Sequence, residues 1–367
     1  MKKRYLFYLE HPAKVHFHKI QINHLLKNGH HVDVLINTKD ILEDLVKEEG
    51  WKYTNLFPKT RKIKGVHVYI AAFINLFTSI YKVFRYTWGK KYDLMVGDVL
   101  VHIGWLKRIP NIYATDDVLD AVPEQIVFFL PTKHILAPKI TDLGRFMNKK
   151  IPYYGYKALA HLHPNHFMPD RSKLSNDLSH NEKFFLIRCT GFGATHDINK
   201  KGIHNDLLTN MVNILEPFGR VLITSERELP DHLEKHLIKI KKSDISHYIA
   251  FAHIFIGDST TMSTEAAVLG TPSIEFDDYF HEIEQMIELE QKYQLIHCFR
   301  TFEEEKFLQK ITELTKTSNL KEIYSERRQK LINDTIDVSA FLIWLFENYP
   351  TSYQEFKNNP DIQKQFK

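Results

Sequence analysis

The sequence predicts an α/β protein made of two successive units, each a parallel sheet with helices on both faces. Two patterns lead to this prediction. Strand-like and helix-like stretches alternate from the first residues onward, and the alternation restarts after one polar, strand-poor stretch, 169–182. The length of 367 residues agrees, because a domain takes about 150 residues. With 43% apolar and 26% charged residues, the chain can bury sizeable cores.

In the first unit, short apolar stretches predict the strands, and the periodic stretches between them predict the helices. One helix begins near Lys19 and ends at Gly29, a residue type common at helix C-termini. A second helix covers 40–49 and stops at Gly50. The predicted strands are 4–9, 31–36, 94–97, 111–114 and 134–137.

The polar stretch 169–182 is the predicted domain boundary. We expect one domain over 1–169 and a second over 183–335, followed by a helix and tail over 336–367 whose polar end frays. The predicted strands of the second domain are 184–188, 220–224, 253–257 and 272–276, and 303–349 is helical in pattern.

The charge balance argues against a nucleic-acid-binding protein. Lysine and arginine number 49 against 45 acidic residues, and this small excess is not the signature of a nucleic-acid-binding protein, which needs a concentrated basic face. The two cysteines, Cys189 and Cys298, fit neither a disulfide framework nor a zinc site, so we expect a reducing, cytoplasmic compartment. The apolar run near the start is too short for a signal peptide, and no uninterrupted apolar stretch is long enough to span a membrane.

The segment 256–274 carries the clearest chemical pattern: an apolar strand, a run of small hydroxyl residues, and a helix that starts near Thr261 or Met262. Free backbone N–H groups and the helix dipole at such a bend bind anions. A carboxylate in the first turns suits the hydroxyls of a ribose. An ordinary capped connection, with Asp258 or Ser259 as the N-cap, explains the same pattern. The candidate nucleotide-binding residues here are Asp258, Ser259, Thr260, Thr261, Met262 and Glu265.

This segment resembles the nucleotide-diphosphate loop of glycosyltransferase-B proteins and of the non-hydrolysing UDP-N-acetylglucosamine 2-epimerases. In those proteins a small-residue loop opens a helix with a ribose-binding glutamate, and a Leu-Gly-x-Pro turn follows. Glu265 and the turn 269–272 stand in those places. The glycines usual in the loop are replaced here by Ser259, Thr260 and Thr261.

Further stretches resemble an uncharacterised family of predicted glycosyltransferase-like proteins of bacteria and archaea. They run in order along most of the chain: 11–19, 153–170, 195–203, 223–230, 251–272 and 337–345. The resemblance implies the glycosyltransferase-B fold, with two Rossmann-like domains facing across a cleft. It also implies that the second domain binds the nucleotide sugar, that the first receives the acceptor, and that a last helix crosses back to the first domain.

Histidines are concentrated in 10–19, a predicted loop after the first strand, at the sheet edge where ligand-binding residues collect. His11, His16 and His18 lie there, and histidine accepts a proton near pH 7. The family resemblance includes the pair His16–Phe17, which makes His16 the preferred candidate for a catalytic base. Exposed or helix-capping histidines explain the cluster as well.

Carboxylates also follow two later strands: Asp98 comes after the third predicted strand, and Asp116 with Asp117 after the fourth. Such carboxylates can act as acid and base on a sugar ring. In the 2-epimerases acidic residues stand at comparable strand ends, and Asp98 and Asp116 match them in order. The His-Arg-Arg-Glu stretch of the epimerases is absent, and a helix N-cap role for Asp116 and Asp117 is the alternative.

The loop 188–197 follows the first strand of the second domain and contains two glycines. Arg188 can bind a diphosphate through two hydrogen bonds, and His196 or Asp197 can face the predicted cleft. A Gly-x-Gly pattern is weak evidence by itself. The family resemblance supports Arg188 as a diphosphate ligand.

Basic clusters flank an aromatic, apolar and helix-like core in 59–92. A basic amphipathic helix of this type can lie in a membrane interface and make weak contact with anionic lipid. A core helix of the first domain is the alternative, since an apolar stripe usually packs inward. The two interpretations can coexist.

Together these features predict a glycosyltransferase that uses a nucleotide-activated sugar, UDP-linked, and a glycan or lipid-linked acceptor in surface polysaccharide or related glycan biosynthesis. His16, Asp98 and Asp116 are the catalytic candidates. No metal and no other cofactor is expected, because no Asp-x-Asp motif is placed to hold a cation. A UDP-sugar 2-epimerase and a non-catalytic sugar-nucleotide-binding protein are the alternatives.

Overall fold

The computed structural model describes residues 2–39, 41–59, 67–191 and 202–367. The chain divides into two compact units, each with its own sheet and surrounding helices, which confirms the predicted α/β class. Unit 1 comprises Met1–His161 with Thr335–Lys367, and unit 2 comprises Leu162–Asp334.

Unit 1 contains, among the residues described, a seven-stranded parallel sheet in the order β3-β2-β1-β4-β5-β6-β7. All five predicted strands are present. The strands are β1 (Arg4–Leu9), β2 (His31–Asn37), β3 (Tyr53–Phe57), β4 (Leu94–Val96), β5 (Asn111–Ala114), β6 (His134–Pro138) and β7 (Lys150–Tyr153). The two strands that the sequence pattern missed, β3 and β7, lie at the sheet edges, where fewer neighbours demand apolar side chains.

Helices cover the sheet of unit 1 on both faces. They are α1 (Pro12–Lys27), α2 (Leu42–Glu48), α3 (Val68–Tyr86), α4 (Leu100–Lys107), the short α5 (Ile126–Phe129) and α6 (Leu159–Leu162), and later α13 (Val338–Glu347) and α14 (Thr351–Asn358). The strand order reverses between β1 and β4. In sheets of this kind, ligands bind outside the carboxyl ends of the strands at such a reversal point.

The predicted loop over 10–19 is wrong, because α1 already begins at Pro12. A proline suits the first helical position, because its fixed φ is helical and an N–H group at that position would have no partner within the helix. The ring of His11 caps the helix by accepting a hydrogen bond from the Ala13 N–H at 3.2 Å. His16 and His18 are therefore helical residues in the first two turns.

The C-terminal segment packs on unit 1 through α13. Gln21 of α1 donates to the Ser339 hydroxyl at 2.9 Å, and the hydroxyl of Tyr5 donates to the Phe346 carbonyl at 3.2 Å. The ring of Phe346 also lies against Phe7 of the central strand. The sheet of unit 1 is thus covered in part by residues more than 300 positions away in the chain.

The end of the chain does not fray. Most of it is helical, and Phe356 and Gln363 are buried. The side-chain oxygen of Gln363 accepts a hydrogen bond from the Tyr154 N–H at 2.8 Å. The polar composition misled the prediction because these few buried side chains, rather than a continuous apolar stripe, fasten the segment.

Unit 2 contains, in its described part, a five-stranded parallel sheet in the order β12-β11-β10-β8-β9. The strands are β8 (Phe184–Cys189), β9 (Arg220–Ser225), β10 (Ile254–Gly257), β11 (Ser273–Phe276) and β12 (Ile296–Phe299). The helices are α7 (Asn205–Leu215), α8 (Ile245–Phe251), α9 (Thr260–Leu269), α10 (Glu284–Gln291), α11 (Glu304–Lys316) and α12 (Leu320–Asp334). Here the chain order reverses between β8 and β10.

Candidate functional site

In unit 2, helix α9 begins directly outside the carboxyl end of β10, at the point where strand order reverses. Ser259 is its N-cap residue, but its side chain makes no capping hydrogen bond. The N–H groups of the first turn have no partner within the helix and carry its positive dipole end. Thr261 is exposed there, whereas the side chain of Met262 packs against the core. The first turn of α9 therefore offers backbone donors to an anion.

Asp258 is buried at the end of β10 and ties two distant backbone segments together. Its carboxylate accepts hydrogen bonds from the Thr190 N–H at 2.7 Å and from the Ile203 N–H at 3.2 Å. Burial raises the pKa of Asp258 to about 6, although these backbone donors oppose the shift. Both oxygens of the predicted ligand Asp258 are thus engaged by backbone, which makes it an organiser of the loop ends.

Arg188 lies at the end of β8, in register with Gly257 of β10. Its guanidinium pairs with the carboxylate of Glu226, which also accepts from the Gly191 N–H at 3.2 Å. The Arg188 Nε is buried and has no hydrogen-bond partner among the residues described. Arg188 therefore places a positive charge beside the point where strand order reverses between β8 and β10, and its Nε–H donor has no partner among the described residues.

Glu265 lies in the second turn of α9 and is 8% exposed. Its carboxylate accepts from the Ser246 hydroxyl of α8 at 3.4 Å. The hydrogen bond holds the Glu265 side chain against α8. Glu265 itself belongs to α9, the helix whose first turn offers the free backbone donors.

Sequence reasoning missed a second acidic residue beneath α9. Glu275 of β11 is fully buried and accepts a hydrogen bond from the Ser263 hydroxyl of α9. Burial, and then the charge of Asp277, raise the pKa of Glu275 well above its ordinary value. A glutamate inside the predicted buried strand 272–276 was the available signal.

The Leu-Gly-x-Pro turn has a structural explanation. Gly270 ends α9 with φ +81°, and Thr271 N–H closes the turn on the Ala266 carbonyl at 2.9 Å. A Cβ on Gly270 would lie 2.7 Å from Cδ of Arg328. The turn therefore ends the helix within close packing. The loop residues His196 and Asp197, also candidates, lie outside the described residues.

In unit 1, the corresponding edge brings Asp98 and Lys14 together. Asp98 follows β4, and its carboxylate forms an ion pair with the ammonium group of Lys14 from the first turn of α1. Gly97 makes this approach possible, because it has φ +143° and a Cβ there would lie 2.7 Å from the Tyr8 carbonyl oxygen. The strand end carrying Asp98 thus packs tightly on β1.

Asp116, after the neighbouring strand β5, is held in the same way by a lysine. Its carboxylate lies 2.8 Å from the ammonium group of Lys157. Burial, and then the charges of Asp98 and Asp117 among others, raise the pKa of Tyr113 in β5 well above its ordinary value. The charges of the two catalytic candidates, Asp98 and Asp116, both act on this tyrosine, and each candidate is paired with a lysine that the sequence analysis did not single out.

His16 occupies a different environment. It is half-buried in α1, and its ring stacks on that of His161 with the centroids 5.2 Å apart. The other helical histidine, His18, is buried, and its Nδ1 has no hydrogen-bond partner among the described residues. Burial, and then the cations Lys14 and Lys157, lower the pKa of His18 to about 3, so its ring is neutral at pH 7.

A small cavity lies beside Lys14, His18 and Lys157 at the carboxyl edge of unit 1, and none of the three catalytic candidates lines it. It is lined by Lys14, Phe17, His18, Ala114, Thr115, Tyr153 and Lys157. Ammonium groups, a neutral imidazole and hydroxyl groups can hydrogen-bond a polyol. Lys14 and Lys157 were discoverable from the sequence, since both lie in stretches that carry the family resemblance. No group of three or more His, Cys, Asp or Glu side chains suited to a metal occurs within the described ranges.

No protein-family model matches the chain, and no curated protein sequence matches it. Solved structures are similar over nearly its whole length. MnaA of S. aureus, determined with UDP, has a TM-score of 0.66 at 10% identity, over 95% of this chain and 97% of that one. The UDP-GlcNAc 2-epimerase of Neisseria meningitidis, bound to UDP-GlcNAc, scores 0.58 at 12% identity, over 89% and 100%. A kitacinnamycin glycotransferase scores 0.59 at 11% identity, over 92% and 97%. The chain thus has the predicted glycosyltransferase-B fold.

Proposed function

We propose that the protein transfers a glycosyl group from a UDP-linked sugar to a glycan or lipid-linked acceptor, in the cytoplasm, during biosynthesis of a surface polysaccharide or related glycan. One observation carries the proposal: the uncapped first turn of α9, with Glu265 one turn further on, at the β8–β10 reversal point of this fold. Such a turn favours a diphosphate, and a nearby carboxylate favours a ribose. The similarity to structures determined with UDP and UDP-GlcNAc supports the choice of nucleotide.

In this proposal, unit 2 binds the donor. The N–H groups of Thr260, Thr261 and Met262 stabilise the diphosphate, and Glu265 accepts hydrogen bonds from the ribose hydroxyls. Arg188 adds a charge-assisted hydrogen bond once the diphosphate competes with Glu226 for its guanidinium. These groups balance the charge of the departing UDP, so the proposed reaction uses no metal.

Unit 1 supplies the proton chemistry. An acceptor hydroxyl oxygen attacks the anomeric carbon of the sugar, the bond from that carbon to the UDP oxygen breaks, and the hydroxyl proton passes to a base. Asp98 is the favoured base of the three candidates, because its ion pair with Lys14 holds it at the sheet edge. Asp116 and His16 are the other two, and the Lys157 pair gives Asp116 a similar position.

A UDP-sugar 2-epimerase is the second candidate, favoured by two observations. Structures of such epimerases match the chain over 89% or more of its length. Asp98 and Asp116 also follow the neighbouring strands β4 and β5, and both act electrostatically on Tyr113, an arrangement in which two carboxylates could exchange protons at a ring carbon. A protein that binds sugar nucleotides without turning them over is the third candidate.

One incubation separates the three. The protein is incubated with UDP-sugars, with and without a glycan acceptor, and the nucleotide and sugar products are separated by chromatography. UDP released only with acceptor supports transfer. An altered UDP-sugar without acceptor supports the epimerase, and binding without either product supports the binder.

The nucleotide site is tested by UDP calorimetry on Glu265→Gln, with Ser246→Ala as the matched control. The control removes the other partner of the same carboxylate but leaves the carboxylate itself. We expect Glu265→Gln to bind UDP about 10-fold to 100-fold more weakly, the equivalent of a charged hydrogen bond of about 1.5–3 kcal/mol. Ser246→Ala should bind like the parent. Equal affinity in Glu265→Gln and the parent would show that Glu265 only fastens α9 to α8.

A further inference from the structure

Helix α3 packs one face into unit 1 and leaves a second apolar face in solvent. Val83 is fully buried, and Leu76, Ile80 and Phe84 pack with it against the core cluster that includes Ile103 of α4. This face accounts for the interpretation of 59–92 as a core helix. Tyr86 packs against the same cluster, whereas other large apolar side chains of α3 are exposed.

The exposed side chains of α3 form one stripe, which we call the α3 face. Its residues recur at the spacing of a single helix side. Their exposed fractions are 54% for Ile70, 62% for Phe73, 43% for Ile74, 53% for Phe77 and 59% for Tyr81. Contiguous exposed apolar surface on this scale marks a binding surface.

The segment of sequence that contains α3 carries charge of one sign. From Gly50 to Tyr92 the sequence contains nine lysines and arginines and no aspartate or glutamate, in a chain whose overall charge is only +4. Arg85, also exposed, continues the stripe and lies near the Tyr81 ring. Part of this segment, 60–66, lies outside the described residues and enters only through its composition.

We propose that the α3 face docks on an anionic phospholipid bilayer. Aromatic and branched side chains would enter the boundary between headgroups and acyl chains, and the surrounding cations would lie near the lipid phosphates. The charge pattern favours a bilayer because its many anions in one plane match the cations at the C-terminal end of α3, where Lys82 and Arg85 lie in the last two turns and Lys90 and Lys91 follow the helix. In the described part of the chain no helix is long and apolar enough to cross a membrane.

Vesicle flotation of the full chain tests the proposal, with phosphatidylcholine vesicles and with vesicles that also contain phosphatidylglycerol. We expect the parent to float with the anionic vesicles, and less so as salt rises. The double variant Phe73→Ser, Phe77→Ser should lose at least about tenfold in partitioning, because two exposed aromatic side chains no longer insert. Arg85→Gln with Lys91→Gln should lose about fivefold for each charge at low salt.

The matched control is Phe302→Ser with Met168→Ser, which removes two exposed apolar side chains of unit 2. It should float like the parent. Equal flotation on neutral and anionic vesicles, absence of parent flotation, or unchanged flotation of the phenylalanine variant would each overturn the proposal. The proposal would also be overturned if the parent formed a dimer, bound no vesicles, and lost the dimer in the phenylalanine variant. A second copy of the chain would then cover the α3 face. None of these outcomes bears on UDP binding, which depends on α9.

Discussion

Asp258 shows how a single buried carboxylate can organise a loop. It accepts backbone hydrogen bonds from Thr190 and Ile203, which lie on either side of the segment 192–201. Burial removes water from this carboxylate and disfavours its charged form, which raises the pKa of Asp258 to about 6. Its location at the end of β10, next to the first turn of α9, makes it a positioning residue for the proposed nucleotide site.

We predict that this effect of burial appears as a pH dependence of stability. Because the folded-state pKa of about 6 exceeds the ordinary value of 3.8, the folded chain holds the proton more tightly than the unfolded chain. The contribution to stability is therefore present at low pH and is lost as pH rises through about 4 to 6. Relative to Asp258→Asn, the parent should lose up to about 3 kcal/mol of unfolding free energy between about pH 4 and pH 7.

Urea unfolding of the parent and Asp258→Asn across this range measures the difference directly. Glu275, whose pKa is also raised by burial, is common to both proteins and cancels in the comparison. Parallel curves for the two proteins would mean that Asp258 titrates as in the unfolded chain.

The proposed base gives the second prediction at this scale. Asp98→Asn keeps the shape of the side chain but cannot accept a proton, so turnover should fall by about 10²–10⁴ while UDP affinity stays unchanged. Asp93→Asn is the matched control, because Asp93 precedes the opposite end of the same strand and its carboxylate accepts a hydrogen bond from the Arg4 N–H at 2.7 Å. Full turnover in both Asp98→Asn and His16→Ala would leave Asp116 or a substrate group as the base.

At the scale of the element, α9 is defined by what happens at its two ends. Its first turn lacks a side-chain cap, which leaves donors for a ligand, whereas its last turn is closed by Gly270 in the left-handed conformation. Arg328 of α12 packs over that end and donates to the Val268 carbonyl at 2.9 Å. The open end is the proposed ligand site, and the closed end anchors the helix.

We predict that the closed end is costly to disturb. Gly270→Ala and Gly89→Ala both place an alanine at positive φ, +81° and +70°, but only the first meets neighbouring atoms, since nothing lies within 4 Å of a Cβ at Gly89. Gly89→Ala should lose about 1 kcal/mol of stability and Gly270→Ala about 2–3 kcal/mol, because Arg328 must also move. Thermal unfolding of both variants checks this. Equal losses would mean that backbone strain is the whole effect.

At the scale of the whole molecule, the chain builds its two units differently. Unit 2 is one continuous segment, 162–334, with its own sheet and core, whereas unit 1 is completed by 335–367. The buried contacts of Phe346 with Phe7 and Tyr5 show that α13 is part of the unit 1 core.

We therefore predict that the fragment 162–334 folds alone and binds UDP, because every proposed nucleotide ligand lies within it. The fragment 1–161 should expose the apolar surface that α13 covers, and should aggregate or unfold without cooperativity. Circular dichroism melts of both fragments, and calorimetry of the first with UDP, measure this. A cooperative melt of 162–334 without UDP binding would place essential ligands in unit 1.

Much of the fold followed from local pattern. The strand–turn–helix of 254–269 was predictable because burial, small residues and helix periodicity all occur within some sixteen consecutive residues. The missed strands β3, β7 and β12 share one property, since all three lie at sheet edges and carry a weaker apolar signal. The start of α1 was predictable in principle from Pro12, but the cluster of polar residues around it was given more weight.

The sequence by itself determined the α/β class, the alternation of strands and helices, and the strand–turn–helix that contains the start of α9, because these depend on neighbours a few residues apart. Only the tertiary structure decided that Lys14 pairs with Asp98 and Lys157 with Asp116. It also decided that the carboxylate of Asp258 accepts hydrogen bonds from backbone N–H groups. It also decided which side of α3 is packed and which is exposed. These pairs join residues from about 40 to more than 80 positions apart in the sequence. The order of the strands in the sheet decides which strand ends lie side by side, and no short-range sequence pattern encodes that order.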